Sequence, residues 1–473
     1  MTRNLLAQAF GLSADYLESL STRPVRESAT LDELCAQLDV ALPEEGQEAT
    51  AVIDALASGA EPGLVASAGP RFFGFVVGGS LPVALAADWL TSAWDQNAQA
   101  FALSPAAAVI EDVVGRWLIE LLGLPRSASF GLVTGAQMAT FVGLAAARHE
   151  VLRRVGWDVE QEGLIGAPPV DVVVGEAAHG TILGALRMLG LGAGRVHTVT
   201  ADSEGRMLVT ALARTLEACG PSTIVCAQAG NVNTGASDSL SDVADLARQQ
   251  DAWLHVDGAF GLWAAASPTL RGQIAGYERA DSWAVDAHKW LNVPYDSGIA
   301  IVAHPAAHEA ALAGQCAYVG QAVATRRDGM RWGPENSRRA RGFAIYAALR
   351  ALGQRGVAAL VEGCCNHAKR MAERLAAESG VRILNQVCLN QVLVRFTGGQ
   401  GVDADAFTAA VAERVRAEGT CWLGTTTWRG QTAIRISISN WSTTTADIDR
   451  SADAILAAAR HLAHVGVRGP VAS

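Results

Sequence analysis

Short runs of β-branched and small apolar residues alternate with helical stretches between about residues 105 and 305, and this alternation constrains the fold more than any other feature of the chain. The runs lie at residues 170–174, 223–227, 252–256, 282–285 and 298–302. Such alternation is typical of α/β folds, in which helices cover both faces of a mostly parallel sheet. The sequence therefore predicts an α/β fold with a mostly parallel central sheet.

The stretches on either side of this region differ from it. Before it, apolar residues recur at helical spacing, at Leu31, Leu34, Cys35 and Leu38. After it, a long helical pattern precedes two apolar strand candidates at 391–396 and 432–439. A chain of 473 residues is also too long for a single compact core. We predict three parts, a helical N-terminal segment (1–75), a large α/β domain (76–335) and a smaller α+β domain (336–473).

Charge and composition exclude several classes of protein. With 47 acidic and 37 basic side chains, the formal net charge is −10, which disfavours nucleic acid as a partner. Hydrophobic residues make up 50% and charged residues 18%, as in folded rather than disordered chains. The sequence shows no signal-like or membrane-length apolar segment, so we expect a cytoplasmic protein without membrane contact.

The cysteines and one short basic cluster each have a simple interpretation. The eight cysteines show neither a CxxC pair nor the paired spacing of metal ligands, so we expect reduced thiols and no metal site. The short basic cluster at Arg338, Arg339 and Arg341 is expected to form salt bridges at a domain or dimer boundary.

Lys289 follows the strand candidate at 282–285 and lies in the apolar, tryptophan-containing segment Ala284-Val-Asp-Ala-His-Lys-Trp-Leu. Burial favours the neutral form of a lysine amine, which is the nucleophile needed to form an imine. A surface lysine after a strand is the alternative on spacing alone.

Three more polar groups follow strand candidates. Asp257 ends the run that begins at Trp253, where open α/β sheets bind ligands, although it could also cap the next helix. Residues 134–137 open a helix and present backbone N–H groups suited to a phosphate, although an ordinary turn would look the same. His179 could stack on an aromatic ring or be structural. The coincidence of these groups with Lys289 favours a single site at one sheet edge.

The set resembles the group II pyridoxal-phosphate (PLP) decarboxylases, which include the aromatic-amino-acid, glutamate and histidine decarboxylases. The resemblance covers most of the chain and is most specific at His255-Val-Asp257 and Asp286-Ala-His-Lys289-Trp. Weaker blocks are Pro70-Arg-Phe-Phe-Gly-Phe, Ser104-Pro-Ala and Ser337-Arg-Arg. It implies the PLP-dependent transferase fold type I, as in aspartate aminotransferase, and a homodimer with active sites at the subunit interface.

Carried over position by position, the resemblance implies that Lys289 binds PLP as a Schiff base and that Asp257 pairs with the pyridine nitrogen. Ala259 would pack against the cofactor ring, and His179 would stack on its other face. The remaining cofactor-binding residues would be Thr134, Gly135, Ala136, Gln137, Asn231, Asp286 and His288. Asn231 replaces the usual threonine and Asp286 the usual asparagine or serine, which indicates a branch distant from the well-described members.

The family's catalytic loop corresponds to about residues 316–338, and its tyrosine falls on Tyr318. In relatives this hydroxyl returns a proton after carbon dioxide leaves, and phenylalanine there diverts the reaction to an aldehyde. A packing role for Tyr318 is the alternative. The resemblance also implies that Phe75, Val76 and Phe101 line the substrate pocket, so that an aromatic or bulky apolar amino acid fits better than glutamate.

The predicted activity is therefore PLP-dependent decarboxylation of an L-amino acid, with an aromatic or bulky apolar side chain favoured, to an amine and carbon dioxide. A PLP-dependent aminotransferase or carbon-carbon lyase would share Lys289, Asp257 and His179, and an aminotransferase could use Arg435 to bind the substrate carboxylate. The sequence also leaves open an aldehyde-forming oxidative decarboxylase and a cofactor-free binding protein. The products formed distinguish the enzymes from one another, and cofactor absorbance distinguishes all of them from the binding protein.

Overall fold

The structure, a computed structural model, describes residues 2–313 and 327–465. The chain clusters into two compact units. The large unit comprises residues 78–369 and 385–392, and the small unit comprises residues 1–77, 370–384 and 393–473. The three-part division of the sequence stays a prediction.

The large unit contains a seven-stranded sheet in the order β1-β7-β6-β5-β4-β2-β3. Its strands are β1 (Ser129–Val133), β2 (Asp171–Gly175), β3 (His197–Val199), β4 (Thr223–Gln228), β5 (Trp253–Asp257), β6 (Ser282–Asp286) and β7 (Gly298–Val302). Only β7 runs antiparallel to its neighbours, β1 and β6. All residues of β4, β5 and β6 are buried, as expected for strands covered on both faces. The predicted fold class is confirmed, with strand boundaries within about one residue of the sequence runs.

Helices in the large unit connect and cover these strands. They are α4 (Pro82–Trp94), α5 (Pro105–Leu121), α6 (Ala136–Arg154), α7 (Val159–Glu162), α8 (Gly180–Met188), α9 (Val209–Glu217), α10 (Leu240–Gln249), α11 (Ala287–Trp290), α12 (Pro305–Leu312) and most of α13 (Gly342–Ala376). Helix α6 begins directly after β1 and packs against β6, β7, α8 and α12. Its small residues allow this close packing, since a Cβ at Gly143 would lie 2.8 Å from His255 Nδ1.

The predicted salt bridges of the basic cluster are present, and all three lie within the large unit. Arg338 pairs with the buried Glu111, Arg339 with Asp88, and Arg341 with Asp296. They therefore connect segments that flank the sheet.

The small unit contains helices and a four-stranded sheet in the order β10-β11-β9-β8. Its elements are α1 (Thr2–Ser19), α2 (Leu31–Leu38), α3 (Ala49–Ala60), β8 (Val381–Ile383), most of β9 (Gln391–Phe396), α14 (Ala404–Glu418), β10 (Gly424–Trp428), β11 (Gln431–Ser437) and α15 (Thr445–Val465). Helix α2 starts with a capping box between Thr30 and Glu33. The buried Arg71 donates to the carbonyls of Ser21 and Thr420 at 2.7 and 2.8 Å, so it ties the N-terminal segment to this unit.

Among the residues that the structure describes, no helix combines the length and the apolar character needed to cross a membrane.

Candidate active site

The site forms where β1, β2, β4, β5 and β6 end, because these strands point the same way and their carboxyl ends share one sheet edge. Lys289 lies in α11, immediately after β6. Its Nζ atom is 2.9 Å from Asp286 Oδ2, and the two side chains are 21% and 4% exposed. A solvent-facing lysine would not pair with a buried carboxylate, so this geometry opposes the surface alternative.

Asp286 is the most connected side chain of the site. Its Oδ1 atom accepts the Ala136 N–H at 2.5 Å and lies 3.3 Å from His288 Nε2. The Asp286 carboxylate thus holds both the lysine amine and the N-terminus of α6, where the helix dipole favours a negative charge. This is the helix end that the sequence predicted to hold a phosphate.

The turn from β1 into α6 is tightly packed. A Cβ at Gly135 would lie 3.2 Å from His288 Cε1, and a Cβ at Gly298 would lie 2.5 Å from Gly135 Cα. Glycine at both positions lets the backbone of the turn approach β7 and the Lys289 segment. The predicted strand-turn-helix arrangement is present, while phosphate binding by Thr134, Gly135, Ala136 and Gln137 stays a prediction.

Asp257 closes β5 and is buried. Its Oδ1 atom accepts the Ala259 N–H at 3.1 Å, and the Ala259 carbonyl accepts the Asp286 N–H at 2.8 Å. Burial raises the pKa of Asp257, and the nearby Lys289 and His179 oppose that rise. A carboxyl group in this environment is ionised most readily when a cationic partner lies against it.

His179 caps α8 through its ring. Its Nδ1 atom accepts the Thr181 N–H at 3.3 Å and lies 2.8 Å from Thr181 Oγ1, while the ring is exposed. The structural alternative for His179 is therefore supported. Stacking on a cofactor ring is compatible with the exposed ring and stays a prediction.

Two further predicted residues support the loops of the site. The buried Asn231 accepts the Asn233 N–H at 2.9 Å and donates to the Ala177 carbonyl at 3.0 Å, so it joins the loop after β4 to the segment before His179. His288 Nδ1 accepts the Ser297 N–H at 3.2 Å. Burial lowers the pKa of His288, so the ring is neutral near pH 7.

Two residues that fix the main chain at Lys289 were not predicted from the sequence. A Cβ at Gly78 would lie 1.7 Å from the Lys289 carbonyl oxygen. Asn292 has a φ of +55° and donates from Nδ2 to the carbonyls of Lys289 and Trp290 at 3.2 and 3.1 Å. The Asn292 carbonyl in turn accepts the Leu81 N–H at 2.7 Å. The only signal in the sequence was the Gly78-Gly79 pair, which could equally mark a turn.

The predicted pocket residues lie in different units. Phe75 and Val76 belong to the small unit and have φ values of +52° and +59°, a strained conformation for side chains of this size. Phe101 belongs to the large unit, and its N–H donates to Asp328 Oδ1 at 2.9 Å. Their role in a pocket stays a prediction. Tyr318 lies outside the described residues.

Comparison with known families identifies the family of the chain. The model of the pyridoxal-dependent decarboxylase conserved domain matches residues 32–397. The chain belongs to the pyridoxal-dependent decarboxylase family. It is therefore a PLP-dependent carboxy-lyase that acts on an amino acid, as the sequence predicted.

Relatives of this decarboxylase are similar over most of their length. An aromatic-L-amino-acid decarboxylase of Bacillus atrophaeus is 27% identical over 94% of this chain and 93% of its own. An L-2,4-diaminobutyrate decarboxylase of Rhizobium meliloti (strain 1021) is 31% identical over 80% and 76%. The crystal structure of Oryza sativa TDC with PLP and tryptamine is 23% identical, covers 98% of both chains and has a TM-score of 0.90. The structural likeness confirms the fold.

The donor set of this decarboxylase fits PLP. It offers a lysine amine for the aldehyde, a buried carboxylate for the ring nitrogen and helix N–H groups for the phosphate. Asp286 fits PLP less well, because its carboxylate already accepts the hydrogen bond from the Ala136 N–H. A bound phosphate group would therefore lie close to a second negative charge at this helix end.

Proposed function

We propose that this decarboxylase converts an L-amino acid with an aromatic or bulky apolar side chain into its amine and carbon dioxide, with Lys289 as the cofactor lysine. The observation that carries this proposal is the placement of the Lys289 amine 2.9 Å from Asp286, at the sheet edge that also holds Asp257. When bound, PLP supplies an electron sink for the electron pair that stays on the substrate α-carbon when carbon dioxide leaves.

The residues around Lys289 have separate tasks in this proposal. Asp286 orients the amine and can accept the proton that it must lose to become a nucleophile. Asp257 would hold the ring nitrogen of the cofactor in its protonated form, and its burial strengthens that pairing. His179, Ala259 and Asn231 would lie around the cofactor ring, on the surrounding loops.

We assign the return of a proton to the substrate α-carbon to the hydroxyl of Tyr318, which makes the amine the product. Phe75, Val76 and Phe101 stay the predicted pocket residues, and their apolar side chains favour a substrate of the same character. The aromatic-amino-acid specificity named for the Bacillus atrophaeus relative supports this class. A diaminobutyrate side chain is cationic and would need an acidic partner in the same pocket.

We also propose a cytoplasmic homodimer with active sites shared between two copies. Neither α1 nor α2 contains a buried residue. Leu6, Phe10 and Leu31 are 61%, 60% and 75% exposed. Leu6 and Phe10 lie one turn apart in α1, and neighbouring exposed apolar residues are typical of a protein interface. The proposal for the cytoplasm rests on the free thiols among the described cysteines.

The chain offers a matched control for the lysine, because its only other lysine is the exposed Lys369. We expect borohydride reduction of the holoenzyme, followed by peptide mass spectrometry, to find the cofactor mass on the Lys289 peptide. Lys289→Ala should abolish that adduct and lower decarboxylation by at least about a thousandfold, whereas Lys369→Ala should change neither. An adduct that survives in Lys289→Ala would refute the assignment.

A substrate panel tests the reaction and the side-chain class together. The purified holoenzyme is given L-phenylalanine, L-tyrosine, L-tryptophan, L-2,4-diaminobutyrate and L-glutamate, and carbon dioxide, amine, keto acid, aldehyde and hydrogen peroxide are measured. We expect amine and carbon dioxide from the aromatic substrates. Tyr318→Phe should shift the product from amine towards aldehyde and peroxide. Turnover of diaminobutyrate or glutamate alone would contradict the apolar pocket.

Light scattering after size exclusion tests the dimer. The double variant Leu6→Asp and Phe10→Asp should run as a monomer. Ile165→Asp changes an even more exposed apolar residue, 96% exposed, in the large unit and should stay dimeric. A wild-type monomer that is fully active would contradict the shared active sites.

A further inference from the structure

Three side chains with metal-ligating atoms meet at the edge of the central sheet opposite the active site. Asp171 opens β2, His197 opens β3, and Cys219 lies between α9 and β4. One carboxylate oxygen, one imidazole nitrogen and the sulfur all lie within 4.8 Å of one another. All three residues are partly buried. The pairing of β2 with both β3 and β4 brings them together.

The chemistry of the three ligands fits a zinc ion. Thiolate, imidazole and carboxylate together suit Zn²⁺ better than Mg²⁺ or Ca²⁺, which prefer oxygen ligands. Bond lengths of about 2.0–2.3 Å in a tetrahedral site place neighbouring ligand atoms about 3.5 Å apart. His197 Nε2 now lies 2.8 Å from Asp171 Oδ1, so this pair would open slightly and the sulfur would move inward.

The surroundings of the three ligands already orient them. The second carboxylate oxygen of Asp171 accepts the Gly220 N–H at 2.7 Å, which leaves Oδ1 for the ion. Cys219 Sγ donates to the Thr215 carbonyl at 3.3 Å. A carboxylate whose second oxygen is held by a backbone N–H is a typical metal ligand.

We propose that Asp171, His197 and Cys219 form a Zn²⁺ site, with a solvent water as the fourth ligand. The ion would bind Asp171 Oδ1, His197 Nε2 and the Cys219 thiolate. The thiol proton leaves to solvent, and the imidazole binds neutral with its hydrogen on Nδ1. The site ties the edge strand β3 to the start of β4 and is independent of the decarboxylation site. It therefore stabilises the sheet without taking part in the reaction.

Cobalt spectroscopy of the holoenzyme tests the thiolate ligand directly. We expect Co²⁺ to produce tetrahedral visible bands beyond the absorption of the cofactor, and Zn²⁺ to remove them by displacement. Cys219→Ser should lose the thiolate character of the spectrum and weaken Zn²⁺ binding at least about tenfold. Cys35→Ser, which changes an exposed cysteine in α2, should leave both unchanged.

A second variant covers the case in which Cys219→Ser folds poorly. His197→Gln retains an amide that can bond to Asp171 but removes the imidazole ligand. We expect Zn²⁺ to raise the Tm of the wild type and of Cys35→Ser, but not of His197→Gln. Decarboxylation without added metal should be the same in all of them. The absence of cobalt bands in the wild type, or equal Zn²⁺ affinity in wild type, Cys219→Ser and His197→Gln, would overturn the proposal.

Discussion

Polar side chains differ in burial between the two ends of the parallel strands. We call the end where these strands finish the carboxyl edge and the end where they begin the amino edge. At the carboxyl edge, Asp257, Asp286 and His288 are buried. At the amino edge, Asp171 and His197 keep 25% and 38% of their side chains exposed. Burial dominates the pKa of Asp257 and raises it, whereas hydrogen bonds together outweigh burial at Asp171 and lower its pKa.

This difference in burial determines how strongly the charged groups at each edge depend on one another. At the carboxyl edge several buried charges face one another, so each holds its protonation state only with the help of the others. At the amino edge solvent screens each pair, and the groups can be changed singly at low cost. Substitutions at the carboxyl edge should therefore affect cofactor binding strongly, whereas substitutions at the amino edge should barely affect it.

Apart from loss of the cofactor lysine itself, the largest effect is expected from Gly78→Ala, which places a methyl group 1.7 Å from the Lys289 carbonyl oxygen. The main chain at Lys289 must shift, and a misplacement of about 1 Å can lower the rate about a hundredfold. Decarboxylation and cofactor content are measured beside circular dichroism. Gly363→Ala is the control, because a Cβ there meets nothing within 4 Å and the helix should gain about 1 kcal/mol. Normal activity in Gly78→Ala would show that this contact can relax.

The next effect concerns pH and His255, which is wholly buried in β5 and has a pKa lowered to about 3 by burial. The folded state keeps His255 neutral, while the unfolded chain takes up a proton below about pH 6.5. This contribution to stability is therefore complete above pH 6.5 and is lost as the pH falls towards 3. Between pH 7 and 5 it amounts to about 2 kcal/mol.

Urea unfolding of His255→Gln at both pH values measures this contribution. The variant should lose about 2 kcal/mol less than the wild type when the pH falls from 7 to 5. His461→Gln, at a position of α15 that is not buried, should behave like the wild type. Equal losses in His255→Gln and the wild type would mean that the unfolded chain does not gain a proton there.

Substitutions of Asp286 and, as a control, of Asp281 compare the two ends of β6. Asparagine keeps an oxygen for the Ala136 N–H but removes the negative charge beside the proposed phosphate site. It also removes the ion pair with the Lys289 amine. We expect PLP to bind about tenfold more tightly, or about 1.4 kcal/mol, as measured by fluorescence titration of the apoenzyme.

Asp281, immediately before β6, is the control for Asp286 because it lies at the opposite end of that strand. Its Oδ2 atom accepts the Leu254 N–H at 2.7 Å, so Asp281→Asn should change stability but not the affinity for PLP. Weaker PLP binding by Asp286→Asn would mean that orientation of Lys289 outweighs repulsion of the phosphate.

The smallest effect is expected from Asp171→Asn at the amino edge. The change weakens a partly exposed pair with His197, so the free energy of unfolding should fall by about 0.5–1 kcal/mol in metal-free buffer. Chemical denaturation measures this loss, and PLP affinity should stay unchanged. A loss of PLP binding would contradict the independence of the two edges.

Most of the carboxyl edge could be predicted because its residues stand next to strands in recognisable blocks. Lys289, Asp257 and the turn at Gly135 each follow or end a strand, and parallel strands bring such residues to one edge. The role of Gly78 could not be predicted, because its contact with Lys289 spans more than 200 residues and leaves no pattern in the local sequence. The bond from the Leu81 N–H to the Asn292 carbonyl could not be predicted either, because it also joins residues more than 200 positions apart.

The sequence by itself determined the strand pattern, the fold class and the cofactor chemistry, since hydrophobic periodicity and motif spacing are local properties of the chain. Only the tertiary structure decided that Asp286 bonds to both Lys289 and the N-terminus of α6. It alone also brought Asp171, His197 and Cys219 together, although the cysteine spacing had indicated no metal site. The contact of Asp286 with α6 and the meeting of Asp171, His197 and Cys219 depend on strand order, which sets distances between residues far apart in the chain and cannot be read from any local segment.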